Sequence, residues 1–379
     1  MAMRGFVVVT AFLLGVMAWG AQPHATHLAE GEPPEKLSAY ALFAGDPRQQ
    51  RPAAGVLKYD LTTPLFSDYT LKHRFIKLPP GTMIHYRDDG VFHFPVGTII
   101  AKTFTYPHDQ RRPQAGERLL ETRLLIRKSE GWIGLPYLWN EAQTEAELDE
   151  VGGTVDVSWI HDDGQPRKNN YIIPNTNQCK GCHENQGVME PIGPKARYLN
   201  RSGPGGVQNQ LEHWHEAGAL AGLPEKSKVP KTAVWNDPAT GTLQERARVW
   251  LEINCAHCHN PRGPAMQSGL DLRLAQHEPA KYGVWKSPVA AGRGSGGRLY
   301  DIVPGEPDAS IMVFRLESTE PGVKMPELPS RMVDAEGVKL IREWIASMPR
   351  GQPPAPGLGR QLELPPSGPW QVRALHKTR

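Results

Sequence analysis

From Tyr59 to Ile173 the apolar positions fall in short runs rich in β-branched and aromatic residues: Arg74 to Leu78, Met83 to Tyr86, Val91 to Phe94, Thr98 to Tyr106, Leu119 to Arg127 and Thr154 to Ile160. Pro-Pro-Gly, Asp-Asp-Gly and Gly-Gly separate them, and runs of this length between turn residues predict an antiparallel β-rich, sandwich-like domain. The alternation in Val91-Phe92-His93-Phe94 puts His93 on the face opposite the two phenylalanines, a solvated strand position.

After Pro174 the spacing changes to Gly/Pro-rich loops and short helical patterns. Gln208 to Leu220 brings Leu211, Trp214 and Ala219 roughly to one side. Thr242 to Ile253 opens with a Thr242/Glu245 capping box and carries Leu243, Ala247, Trp250 and Ile253 at helical spacing. Asp334 is placed to cap a last helix whose stripe is Val338, Ile341, Trp344, Ile345 and Met348, stopped by Pro349. The pattern as a whole predicts an α+β protein. Residues 22–55 read as a leader or linker, 56–174 as the β-rich domain, 175–235 and 236–350 as two mainly α segments, and 351–379 as a Pro-rich tail.

The N-terminus adds a location. Arg4, the apolar run Phe6 to Trp19 and the small residues Ala18, Gly20 and Ala21 have the three zones of a secretory signal peptide over residues 1–21. The run is short for a membrane span, and an uncleaved anchor is the competing reading. The expectation is a periplasmic protein whose mature chain starts near Ala21. With 43 basic and 40 acidic residues spread along the chain, no basic stripe of the kind a phosphate backbone needs is present, so nucleic acid is not an expected partner.

The 4 cysteines all lie in two C-x-x-C-H pentads, Cys179-Lys180-Gly181-Cys182-His183 and Cys255-Ala256-His257-Cys258-His259. Two thiols about one helical turn apart can form thioethers to the two vinyl groups of one haem, while the following histidine offers an imidazole to its iron. The expectation is two covalently bound haem c groups, with His183 on iron 1 and His259 on iron 2. A zinc site of four thiolates, or a thiol redox pair, is the competing reading. It leaves both histidines unused and suits an exported protein less well.

The sixth iron position separates an electron carrier from a site open to small molecules. For the second haem, Val323-Lys324-Met325-Pro326 puts a methionine in a Pro-bounded loop before the final helix, with Met266 and Met332 as competitors. Here Thr242 to Met348 resembles a class I cytochrome c domain: a helix into C-A-H-C-H, a K-M-P loop, and a closing helix with Ile341, Trp344 and Ile345. The resemblance implies His259 as proximal and Met325 as distal ligand, and makes the α half cytochrome c-like. At the level of the chain, the β domain followed by N-T-N-Q-C-K-G-C-H, P-I-G-P-K-A-R and N-C-A-H-C-H-N-P-R-G-P-A resembles a group of bacterial exported two-haem c-type cytochromes, from about Leu65 to Met348. That likeness brings no substrate with it.

The first haem lacks a matching Met-Pro loop. Met189 is so near His183 that spanning both haem faces would strain the chain, and His213 and His215 are the remaining candidates, each also readable as a surface histidine. His73, His85, His93, His108 and His161 could contribute a separate metal site in the β domain, although no tight ligand pair marks one. Gly292-Arg293-Gly294-Ser295-Gly296-Gly297 fits a dinucleotide-binding string only formally and is expected to be a loop. The leading expectation is a dihaem carrier exchanging electrons with redox partner proteins. The alternative is an oxidoreductase in which the first haem, or a metal in the β domain, is catalytic and the second haem relays electrons; no small-molecule substrate is identifiable.

Overall fold

The structure, a computed structural model, describes residues 31–353 except 207, 291, 328 and 329. The expected signal peptide, the first residues of the leader and all but three residues of the Pro-rich tail lie outside the described residues.

The α+β expectation holds. Six strands form one sheet in the order β1 (Val56–Tyr59), β2 (Leu71–Lys77), β4 (Ile99–Pro107), β5 (Glu117–Arg127), β6 (Trp132–Trp139) and β7 (Ala146–Leu148), every neighbouring pair antiparallel. The two-residue β3 (Ile84–His85) lies outside this sheet and pairs in parallel with Leu220–Ala221. A hairpin of β8 (Gly153–Ile160) and β9 (Pro166–Ile173) follows.

Two expectations need correction, and one strand was not among the expected runs. Val91 to Phe94 is no strand; it makes single bridges, Val91 to Lys195 and His93 to His85, although His93 is exposed between two buried phenylalanines as the alternation requires. The run Trp132–Trp139 is a strand that Gly134 and Pro136 disguise. The β7 pairing covers Tyr137–Trp139, and just past its end the Asp149 N–H donates to the Pro136 carbonyl (3.0 Å), so the N–H that Pro136 lacks would fall beyond the end of β7, where proline is tolerated. The leader reading of 22–55 also fails in part, because Leu37, Tyr40 and Leu42 are buried against Phe75, Ala101, Leu124 and Tyr137. That sheet face is apolar and must be covered. Tyr137 Oη donates to the Pro34 carbonyl (2.7 Å) and Lys77 Nζ to that of Tyr40 (2.7 Å), which pins the segment down.

The opposite sheet face packs on segments C-terminal to it. Its Ile76 and Ile100 join a core with Ala196, Tyr198, Leu199, Leu211, Trp214, Val249 and Ile253, while Phe104, Tyr106 and Leu120 pack on Val157, Trp159, Tyr171 and Ile173 of the hairpin. The boundaries expected at 174 and 235 therefore cut through one shared core.

Six α-helices are described: α1 (Thr176–His183), α2 (Ala196–Leu199), α3 (Gln210–Glu216), α4 (Leu243–Cys255), α5 (Ile311–Glu317) and α6 (Ala335–Ser347). The Thr242/Glu245 capping box forms, and Asp334 caps α6 through the Gly337 N–H (2.9 Å). The second Asp334 oxygen accepts from Trp250 Nε1 (3.0 Å), which fixes α6 against α4. Gly337 permits this closeness, since a Cβ there would stand 2.5 Å from the Trp250 ring.

Candidate functional site

The two pentads end two helices and lie side by side. Asn175 and Gln178 form a reciprocal capping box that starts α1, and α1 holds Cys179, Cys182 and His183 on a single helical stretch. The helix rests on β6 at Gly134, where a Cβ would meet the Met189 methyl at 2.9 Å and the Cys179 Cβ at 3.1 Å. Helix α4 carries Cys255 at its last residue, and the chain turns on through Cys258 N–H and His259 N–H, both donating to the Cys255 carbonyl (3.1 and 2.9 Å). Asn260 Nδ2 donates to the Ala256 carbonyl (2.9 Å), and its Oδ1 accepts from Arg262 N–H (2.8 Å), locking this turn. Gly263 lets the Asn-Pro-Arg-Gly loop fold back, for a Cβ there would sit 2.3 Å from the Cys258 carbonyl oxygen. Across the junction, Cys258 Sγ is 3.7 Å from the Gly181 carbonyl oxygen.

Hydrogen bonding sets the tautomers of both pentad histidines. His183 Nδ1 lies 2.9 Å from the Glu190 carbonyl oxygen, which can only accept, so Nδ1 carries the proton and Nε2 keeps its lone pair. His259 Nδ1 lies 3.0 Å from Ser268 Oγ, whose own hydrogen goes to the Ala265 carbonyl (2.7 Å), with the same result. This is the arrangement that orients an imidazole toward a metal through its free nitrogen. Burial pulls His183 down to about 3 and His259 down to about 4, so both rings are neutral at ordinary pH.

The four thiols are free, and burial raises all of them. Cys255 and Cys258 are pushed up to about 12, with no cation helping either, and Glu327 adds to the effect at Cys258. Such surroundings disfavour thiolates, the form that zinc ligation or thiol exchange needs, whereas a thioether sulfur has no proton to lose. Among the described residues no three His, Cys, Asp or Glu side chains gather closely enough to hold a metal ion.

Beneath the first pentad the sheet carries a feature that the sequence pattern did not reveal. Register places Arg74, Lys102 and Arg123 side by side on adjacent strands, on the face toward α1. Arg74 has Asp60 (3.6 Å) and Arg123 has Glu121 (2.5 Å), while Lys102 lies over the Phe104 ring at 4.9 Å. Loss of water, then Arg123 and Arg74, pull Lys102 down to about 7. Its field reaches Cys182, His183 and His257.

Because the folded value lies below the unfolded one of about 10.4, the unfolded chain binds more protons between these values, and stability rises as pH climbs from about 7 toward 10. The substitution Lys102→Met is therefore expected to stabilise the protein more at about pH 6.5 than at about pH 9.5. Denaturant titrations at the two pH values check this, and an equal gain at both contradicts it.

The other candidates are dispersed. Met332 packs on the hairpin core and its N–H donates to Asp68 (2.8 Å); Met266 is 56% exposed, two residues from the Ser268 that holds His259. Met325 is half-buried, its N–H donates to the Arg315 carbonyl (3.0 Å), and the charges of Arg315 and Glu327 act on His259 and Cys258 respectively. Asp68 and Tyr69, both at positive φ, anchor the chain beyond this loop: Asp68 Oδ1 accepts from the Arg331 and Met332 N–H groups, each at 2.8 Å. His213 and His215 are exposed on α3, and His215 Nδ1 bonds the Leu220 carbonyl (2.9 Å). His73 pairs with Glu117 (2.6 Å), His85, His93 and His108 are exposed, and His161 stands edge-on to Tyr69. Gly292–Ser295 is a single turn in a loop, as expected.

Comparison with known protein families, with curated proteins and with solved structures finds no match to this chain.

Proposed function

We propose that the protein is a periplasmic dihaem c-type cytochrome that carries single electrons between redox partner proteins. The observation that carries the reading is the pair of pentad histidines, each with Nδ1–H engaged on an acceptor of its own chain, so that Nε2 keeps its lone pair, on a chain segment that also carries two free thiols. A haem bound at each pentad supplies a one-electron store.

The chain's own groups do the rest. Cys179 and Cys182 would hold the first haem, and Cys255 and Cys258 the second, through thioether bonds that do not dissociate. Glu190 and Ser268 fix the orientation of His183 and His259. Met325, on a loop tied to α5 through Arg315 and, farther along, to Asp68, would offer its soft thioether to the iron of the second haem, which would favour the reduced state. The proposed α4–loop–α6 unit is cytochrome c-like, with Trp250 and Asp334 joining its two main helices. Lys180 and Gly181 are exposed, so the first site reaches the surface where a partner could dock.

Oxidised and reduced absorption spectra of the purified mature protein test the reading. Sharp low-spin bands in the reduced form, with an absorbance matching two haems per chain, are expected; absence of a haem spectrum defeats it.

A further inference from the structure

A cavity opens between the sheet and the β8–β9 hairpin, and none of its lining residues belongs to either pentad. Its volume is about 620 Å³, inside the range of roughly 300–1,000 Å³ that small-molecule sites occupy. Strand register builds the two walls. Tyr106 and Arg118 are partners across β4 and β5, and His108 follows two residues on, its N–H tied to the Gly116 carbonyl (3.1 Å). On the hairpin, Val157 pairs with Asn169 and Ser158 with Lys168. Tyr106 and Val157 are also part of the core between sheet and hairpin, so the base of the cavity is fixed.

Sites of this size are mostly lined by apolar side chains. Here polar and charged groups make up most of the lining, and the hydrogen-bonding capacity they leave unused defines what fits. Arg118 Nη1 donates to the Asp156 carbonyl (3.1 Å), and among the described residues neither Arg118 nor Lys168 has a carboxylate within ion-pair distance. Asp109, beside His108, is taken by Arg111 and Arg112, and Asp163, in the hairpin turn, by Arg167. Two cations therefore face the cavity without a counter-charge, and the planar guanidinium fork matches a carboxylate.

The same walls also present spare acceptors. Asn170 Nδ2 donates to Asp156 Oδ1 (2.7 Å), which leaves Asp156 Oδ2 open. Asn169 Nδ2 donates to Asp68 Oδ2 (3.0 Å) and to the Tyr106 hydroxyl (3.4 Å), and this holds the amide in place. Among the described residues Asn169 Oδ1 and Ser158 Oγ have no hydrogen-bond partner. A carboxylate or amide oxygen only accepts, so a ligand must bring O–H or N–H donors here. A bare phosphate or a simple dicarboxylate brings none and meets Asp156 with like charge.

We propose that this cavity binds a sugar acid, with the carboxylate on Arg118 and Lys168 and the hydroxyls on Asp156, Ser158 and Asn169. The assignment gives the β-rich region a ligand of its own and is independent of what the pentads carry.

Isothermal titration calorimetry of the full-length protein tests it, with digalacturonate as the probe. Its neutral counterpart galabiose, succinate and inorganic phosphate serve as comparators. Digalacturonate is expected to bind, and each comparator to bind about tenfold more weakly or worse, since each lacks either the acid or the hydroxyls. Arg118 and Lys168 are exposed, so Arg118→Gln and Lys168→Gln are expected to keep the parent's thermal midpoint while each weakens digalacturonate about tenfold. No binding of digalacturonate, equal binding of galabiose, succinate or phosphate, or an unchanged affinity in Arg118→Gln would each overturn the assignment.

Discussion

Replacing Cys179 and Cys182 together by alanine is expected to cut covalent haem from two per chain to one, and replacing Cys255 and Cys258 is expected to do the same. Each pentad has its own pair of thiols on its own helix end and its own anchored histidine. Loss of one pair therefore leaves the other set intact. The contact between the pentads makes this a sharp test, because a single site shared by the four sulfurs would be lost in either double variant. Haem staining of denatured protein, followed by haem quantitation per chain, reads the result. Loss of both groups in either variant would point to one joint site, and no loss in either would remove the pentads from cofactor binding altogether.

The largest effect on stability is expected at Glu121. Its carboxylate is fully buried and accepts from Arg123 Nε (2.8 Å), Arg123 Nη2 (2.5 Å) and the Tyr171 hydroxyl (2.7 Å), linking β5 to the hairpin. Burial lowers the Arg123 guanidinium, but Glu121, together with Tyr171 and Cys179, raises it above its ordinary value. Glu121→Ala would leave that guanidinium beside Lys102 with no counter-charge. Removing one partner of a buried pair costs about 3–5 kcal/mol. Guanidinium titration of the haem-loaded variant against the parent measures it, and a loss under about 1 kcal/mol would show that water reaches Arg123 freely.

What could be read in advance and what could not divide along a physical line. The pentads, the Thr242/Glu245 box and the Asp334 cap are set by residues within a few positions of one another, and all stand in the structure where local spacing puts them. The burial of Leu37, Tyr40 and Leu42 depends on an apolar sheet face whose strands lie far along the chain, so those residues have no period of their own to betray them. Strand β6 was hidden because Gly134 and Pro136 break the alternation, yet Gly134 is what lets α1 approach. Arg74, Lys102 and Arg123 each look like a solvated strand residue; only the pairing of β2, β4 and β5 gathers them into one row under the first pentad.

The central claim is that each pentad carries its own covalently bound haem. The intact mass of the denatured mature chain tests it most directly. An increase equal to two haems over the polypeptide alone is expected, falling to one in either double cysteine variant; a mass equal to the bare polypeptide, with zinc recovered from the native protein, would contradict it.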